Sequence, residues 1–158
     1  MEEYNSKFLV IHPNASAVGS LDLGYETDYN TKQKLKRKNE IIYNLGCDTL
    51  TPHQDSFVIY QGSHGDKGPG SADLILPSAC YLEEDGIFVN TEGRTQYARK
   101  AIQPPGKAKE NWKIIRALSE KLGLVPNWLD LNGLRTDLFK EIPLLSMPNK
   151  IIEVPWEA

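Results

Sequence analysis

Phe57-Val58-Ile59-Tyr60-Gln61-Gly62-Ser63-His64-Gly65-Asp66-Lys67-Gly68-Pro69-Gly70-Ser71-Ala72-Asp73-Leu74-Ile75-Leu76-Pro77 is the stretch that decides the fold. Two short apolar runs, Phe57–Tyr60 and Leu74–Leu76, flank the glycine-rich loop Gln61–Ser71, and Pro77 stops the second. Neither run alternates apolar with polar residues. Strands of a parallel sheet, covered on both faces, read this way, whereas a half-exposed antiparallel strand alternates. Upstream lie two more runs of the same kind, Ile41–Leu45 closed by Gly46, and Lys7–His12. Pro13 and Asn14 break the earliest run. Asn14 is placed to cap a helix over Ala15–Leu23, which Gly24 closes. A strand, a helix and a strand in that order predict a right-handed crossover. The next two connections, of about eleven residues each, are short for helical crossovers. The fold class is therefore α/β, an incomplete and mostly parallel, Rossmann-like sheet of four strands with one covering helix. The missing cover is expected from the C-terminal helices or from another chain.

Further on, Gly86 introduces the run Ile87–Val89, which leads into the loop Asn90-Thr91-Glu92-Gly93-Arg94. Pro104-Pro105-Gly106 is a strong breaker and reads as a joint between an α/β part, 1–103, and a helical segment with an extended tail, 107–158. In that segment an amphipathic helix is predicted over Ala108–Leu122, with Trp112, Ile115, Leu118 and Leu122 on one face and Gly123 at its end. A second helix is expected to start at Asn127 as cap, setting Trp128, Leu131, Leu134 and Leu138 along one stripe before Pro143. The tail Pro148–Ala158 contains Pro155 and Trp156. Residues 25–40 are polar, and their five cations between Lys32 and Lys38 read as a solvated surface segment.

The composition excludes several classes. With 158 residues, 40% hydrophobic and 25% charged, the chain has the make-up of a soluble globular domain. A net charge of −3 gives no general attraction to nucleic acid or to an anionic membrane surface. No run of 18 apolar residues exists to span a bilayer. The acidic start Met1-Glu2-Glu3-Tyr4 resembles neither a signal peptide nor an Arg-rich transit peptide. The two cysteines, Cys47 and Cys80, cannot supply the four thiolates an iron–sulfur cluster ordinarily takes. They are expected as separate reduced thiols, and no metal or cofactor is expected in this chain.

Four loop features bear on chemistry. Gly62–Gly70 with Lys67 has the makings of an anion nest, but it matches neither G-x-G-x-x-G nor G-x-x-x-x-G-K-[ST] and reads instead as an irregular connection whose glycines suit positive φ. His64 and Asp66 lie two residues apart in a loop with no nucleophile tied to them. Asn90–Arg94 combines turn residues with the charge pair Glu92 and Arg94. Glu83, Glu84 and Asp85 form an acidic cluster that reads as a solvated turn, a Mg²⁺ site being the sharper alternative. No catalytic residue emerges. The positions singled out as structural or interface candidates are Gly62, Gly65, Asp66, Asn90, Glu92, Gly93 and Arg94.

A family resemblance extends this reading. His12-Pro13-Asn14-Ala15-Ser16, Leu21-Asp22-Leu23-Gly24-Tyr25, Tyr60-Gln61-Gly62-Ser63-His64-Gly65-Asp66, Ala72-Asp73-Leu74-Ile75-Leu76-Pro77, Phe88–Arg94 with Gln96, and Pro104-Pro105-Gly106 with Trp112–Glu120 resemble, in order, the large iron–sulfur subunit of respiratory complex I. The likeness covers most of residues 8 to 122 and thins beyond. That subunit is similar in fold to the molybdopterin oxidoreductases, which share the A-D-x-x-L-P and N-x-E-G-R segments and in which nearby loops help to hold a pterin. The resemblance implies a structural, non-redox C-terminal fragment in the peripheral arm of the proton-translocating NADH:ubiquinone oxidoreductase, from a split gene or a truncated chain. It implies other complex I subunits as partners, above all a chain that carries the iron–sulfur clusters. It implies an inner-membrane complex, on the mitochondrial matrix side or the bacterial cytoplasmic side. The alternatives are a share in the cofactor pocket of a split molybdopterin oxidoreductase, or a free-standing nucleotide-binding module.

Overall fold

A computed structural model describes residues 10–12, 15–25 and 41–151. The chain divides into two compact units. One takes in Thr27–Gly86 and Arg99–Leu134, and the other Met1–Glu26, Ile87–Ala98 and Arg135–Ala158.

The first unit is built on three parallel strands, β1 (Ile41–Leu45), β2 (Phe57–Gly62) and β3 (Leu74–Pro77), in the order β1-β2-β3. Their bounds follow the apolar runs to within two residues. Gly46 ends β1 at φ 67°, with its N–H donating to the carbonyl of Gln61. The buried Asn44 is satisfied locally, since its amide both donates to and accepts from the backbone of Cys47. Asp73, from the A-D-x-x-L-P segment, has a mechanical part: its carboxylate accepts the N–H of Val58 at 2.8 Å and its own N–H donates to the Val58 carbonyl at 2.9 Å, so the ladder continues one residue beyond β3. Between β2 and β3 lies a short helix, α2 (Lys67–Gly70), which the sequence reading treats as loop.

After the Pro-Pro-Gly segment the chain returns to this sheet. Ser78 bridges Lys109, and the N–H of Ala79 donates to the Lys109 carbonyl at 2.8 Å. These ladder bonds occupy residues expected to be helical, so helix α3 spans Asn111–Lys121 instead of starting at Ala108. Gly123, at φ 77°, closes it in a Schellman arrangement, with Leu124 N–H on the Ser119 carbonyl and Gly123 N–H on that of Glu120. Trp112 of α3 meets Trp128 edge to face, with centroids 6.2 Å apart. Helix α4 (Leu131–Glu141) begins later than expected. Its cap is Asp130, whose carboxylate accepts the N–H of Gly133, and not Asn127, so Trp128 lies outside the helical stripe.

The second unit contains α1 (Ala17–Asp22), the two-stranded sheet of β4 (Gly86–Val89) and β5 (Thr95–Ala98), most of α4 and a 3₁₀ turn at Pro143–Ser146. Gly24 closes α1 at φ 76° as the sequence predicts. β5 carries no apolar run and has no sequence signal of its own. It is held by the turn that precedes it, by Tyr97 stacking on Phe139, and by the Tyr97 hydroxyl, which donates to the Leu145 carbonyl at 2.9 Å.

One expected strand fares differently. Lys7–Leu9, like Asn14, the Lys32–Lys38 run and the residues from 152 onward, lies outside the described residues, while the helix expected from Ala15 starts at Ala17 with Ser16, not Asn14, in the N-cap position. Val10 and Ile11, its apolar end, are exposed and outside any strand. An apolar run becomes a strand only with a ladder partner, which these residues lack among those described.

Candidate functional site

The loop after β2 is organised around one aromatic ring. Tyr60 is 3% exposed, and its hydroxyl donates to the His64 carbonyl. A Cβ on Gly68 would stand 2.5 Å from the Tyr60 ring, 2.9 Å from a carboxylate oxygen of Asp48 and 3.0 Å from the Cys47 carbonyl. A Cβ on Gly62 would meet the same ring. Gly65 and Gly70 face open space. None of these four glycines takes a positive φ, so the expected conformational reason gives way to a steric one: Gly62 and Gly68 make room for Tyr60. Burial raises the Tyr60 phenol pKa, and the negative charges of Asp48, Asp66 and Cys47 add to the effect.

Beside this loop is an open cleft of about 690 Å³, lined in part by Asp48, His53, Asp66, Lys67, Val58 and Asp73. It does not suit an anion. The N–H of Gly68, which an anion nest would aim at its guest, already donates to Asp48 at 2.9 Å. Three carboxylates face a single lysine there, so a phosphate would meet net negative charge. Ser63 and His64 are within 2.9 Å of each other, but both are exposed.

The acidic cluster is not a solvated turn. Glu83 accepts the N–H of Cys80, and Asp85 accepts that of Lys100, each at 3.0 Å. Glu84 caps α3 from a distance, taking the backbone N–H of Asn111 at 2.9 Å and its side-chain amide at 2.7 Å. The oxygen of that amide accepts from Gln61 at 2.7 Å, and Gln61, fully buried at the end of β2, accepts the hydroxyl of Tyr43. A continuous polar chain thus joins β1, β2, the Glu84 turn and the start of α3. Next to it Glu110 receives Lys100 at 2.7 Å, Lys113 at 3.0 Å and the Trp112 indole at 2.9 Å. Burial works to raise the Glu110 pKa, but these three donors outweigh it and the carboxyl stays below its usual range. The sequence reading missed this cluster. Its one signal was Gln61, a polar residue directly after an apolar strand.

In the second unit the N-x-E-G-R turn is closed by its own residues. The Asn90 side chain accepts the N–H groups of Glu92 at 3.0 Å and Arg94 at 2.9 Å, and Gly93 takes φ 81°. Arg94 pairs with Glu92 at 3.4 Å and donates to the Asn149 carbonyl at 2.8 Å. Of the singled-out residues, Gly62, Gly65 and Asp66 therefore belong to one unit, and Asn90, Glu92, Gly93 and Arg94 to the other.

The molybdopterin oxidoreductase family matches residues 1–121, which span both loops and the whole of α3. The chain belongs to this family. Within it, the chain is 43% identical over 148 residues to the G-type subunit of the NADH-quinone oxidoreductase of Rickettsia bellii, covering 92% of this chain and 21% of that protein. It is 46% identical over 151 residues to the mitochondrial NADH-ubiquinone oxidoreductase 78 kDa subunit of Candida albicans, covering 94% and 20%. The chain thus spans about a fifth of the length of the curated relatives it matches. The described residues do not fit the phosphate-bearing pterin that the family name implies. The cleft offers carboxylates, its best-placed N–H is taken, and Arg94 is committed to Glu92 and Asn149.

Proposed function

We propose that this chain is a structural, non-redox part of the large iron–sulfur subunit of complex I. It sits in the peripheral arm, on the matrix side in mitochondria or the cytoplasmic side in bacteria, while the clusters lie in other parts of that subunit. The observation behind this reading is the fate of the polar groups in the two motif loops and the acidic turn. Asp48, Asp73, Glu83, Glu84, Asp85, Asn90 and Arg94 are all engaged in holding backbone segments of this chain. Groups so committed fix a scaffold; catalysis would need some of them aimed at a substrate. Electrons from NADH then pass to quinone through clusters outside this part of the subunit, and Cys47 and Cys80 ligate none of them. The test is a Cys47→Ser, Cys80→Ser chain in the native assembly. Cluster signals by electron paramagnetic resonance and the NADH–quinone rate should match wild type at normal yield. Loss of a cluster signal from an assembly of normal yield would overturn the reading.

A further inference from the structure

The first turn of helix α4 carries an asparagine followed by a glycine. Asn132 and Gly133 are the second and third residues of the helix, and Asn132 is exposed to water. Glycine is among the weakest helix formers, so its place here needs a reason. The reason is steric: a Cβ on residue 133 would stand 2.9 Å from the Cβ of Trp128 and 3.4 Å from its Cα. Trp128 is itself pinned, since its ring meets that of Trp112 edge to face and its carbonyl accepts the Arg116 guanidinium. The packing therefore demands a glycine directly after Asn132. Chemically that pair is vulnerable. With no Cβ on residue 133, its backbone nitrogen can approach the side-chain carbon of Asn132 with little hindrance.

Two bonds oppose that approach. The Asp130 carboxylate accepts the N–H of Gly133 at 2.8 Å, so the nitrogen keeps its proton and its direction. The N–H of Leu134 donates to the Asp130 carbonyl at 3.0 Å and holds the residues between them in helical torsions. A helical ψ of about −42° turns the next nitrogen away from the side-chain carbon.

We propose that Asn132–Gly133 is a modification site gated by the Asp130 cap, where Asn132 converts spontaneously to aspartate and isoaspartate when the first turn of α4 opens. The Gly133 nitrogen bonds to Cγ of Asn132, the Cγ–Nδ2 bond breaks, and ammonia leaves with the proton that the nitrogen gave up. A cyclic succinimide remains. Water then adds to one of its two carbonyls. One opening leaves aspartate in a normal backbone, and the other routes the backbone through the side chain as isoaspartate. Isoaspartate inserts a methylene between residues 132 and 133. It thereby shifts residue 133 away from Asp130 and Trp128 and loosens the packing of Trp128 on Trp112.

The test incubates the chain in its native assembly at mildly alkaline pH and follows residue 132 by peptide mass mapping with fragmentation. Asp130→Ala should raise the rate of amide-to-acid conversion at Asn132 about fivefold, which corresponds to about 1 kcal/mol, the usual worth of an N-cap. Asp130→Asn keeps an acceptor and should stay within about twofold of wild type. The chain unfolded in urea supplies the ungated rate, expected to be roughly tenfold or more above the native one. Equal rates in Asp130→Ala and wild type overturn the proposal, as does a native rate as fast as that in urea. Amide exchange in β2 is followed in the same samples. Unchanged β2 exchange beside faster conversion supports the gate, whereas β2 exchange that rises in step means that global unfolding sets the rate and overturns it.

Discussion

Asn111→Ala should open the joint between the sheet and α3. The substitution removes the amide that donates to Glu84 at 2.7 Å and the oxygen that accepts from Gln61 at 2.7 Å. A hydrogen bond to a carboxylate contributes about 1.5–3 kcal/mol, and leaving a buried amide unpaired costs about 1–3 kcal/mol. Gln61 has no access to water and keeps only a long contact, 3.4 Å, to the backbone carbonyl of residue 111, so it meets most of the second cost. Glu84 keeps the backbone N–H of residue 111, which softens the first. A net loss of about 3 kcal/mol is expected, or roughly a hundredfold in the local opening equilibrium. Hydrogen–deuterium exchange, read by mass spectrometry on the assembled chain, should show amides of residues 57–62 and 111–115 exchanging about a hundred times faster. Asn111→Asp should be worse at neutral pH, because two carboxylates about 3–4 Å apart repel by about 4 kcal/mol at an effective dielectric of 20, and it should recover on acidification. Exchange within threefold of wild type for Asn111→Ala, or an Asp variant indifferent to pH, would refute the reasoning.

Gly68→Ala forces a methyl against Tyr60 and the Cys47 carbonyl and should destabilise by about 1–3 kcal/mol, whereas Gly65→Ala, facing open space, should stay within about 0.5 kcal/mol, both read from exchange of the β2 amides. The depressed pKa of Glu110 makes its contribution to stability full above the ordinary carboxylate value of 4.5 and lost as pH falls through the folded-state pKa. A pH series of thermal stability should show that loss in wild type and not in Glu110→Gln. Asn90→Ala removes the acceptor of two backbone N–H groups and should cost about 1–2 kcal/mol, measured as faster proteolysis at residues 90–94, and cleavage at the wild-type rate would refute the role of that acceptor.

The sequence by itself determined the parallel strands β1, β2 and β3, because an apolar run bounded by glycine or proline carries its own signal. It likewise determined the ends of α1 and α3, since a glycine in the left-handed region is a local requirement that Gly24 and Gly123 meet. The N-x-E-G-R turn was legible for the same reason: all its bonds but one lie within five residues. Tertiary structure decided what those signals could not reach. β5 exists through a hairpin partner and distant aromatic contacts, not through its own pattern. The starts of α3 and α4 moved because remote bonds competed for the same residues: the Ser78–Lys109 bridge and the Glu84 carboxylate at α3, the Asp130 cap at α4. Glu84, Asn111 and Gln61 come together across separations of 27 and 50 residues, which no local pattern encodes. The one-sided exposure of β1 is a tertiary fact of the same kind: the strand reads as buried on both sides from its apolar residues, yet Ile41, Tyr43 and Leu45 are exposed while Ile42 and Asn44 are buried.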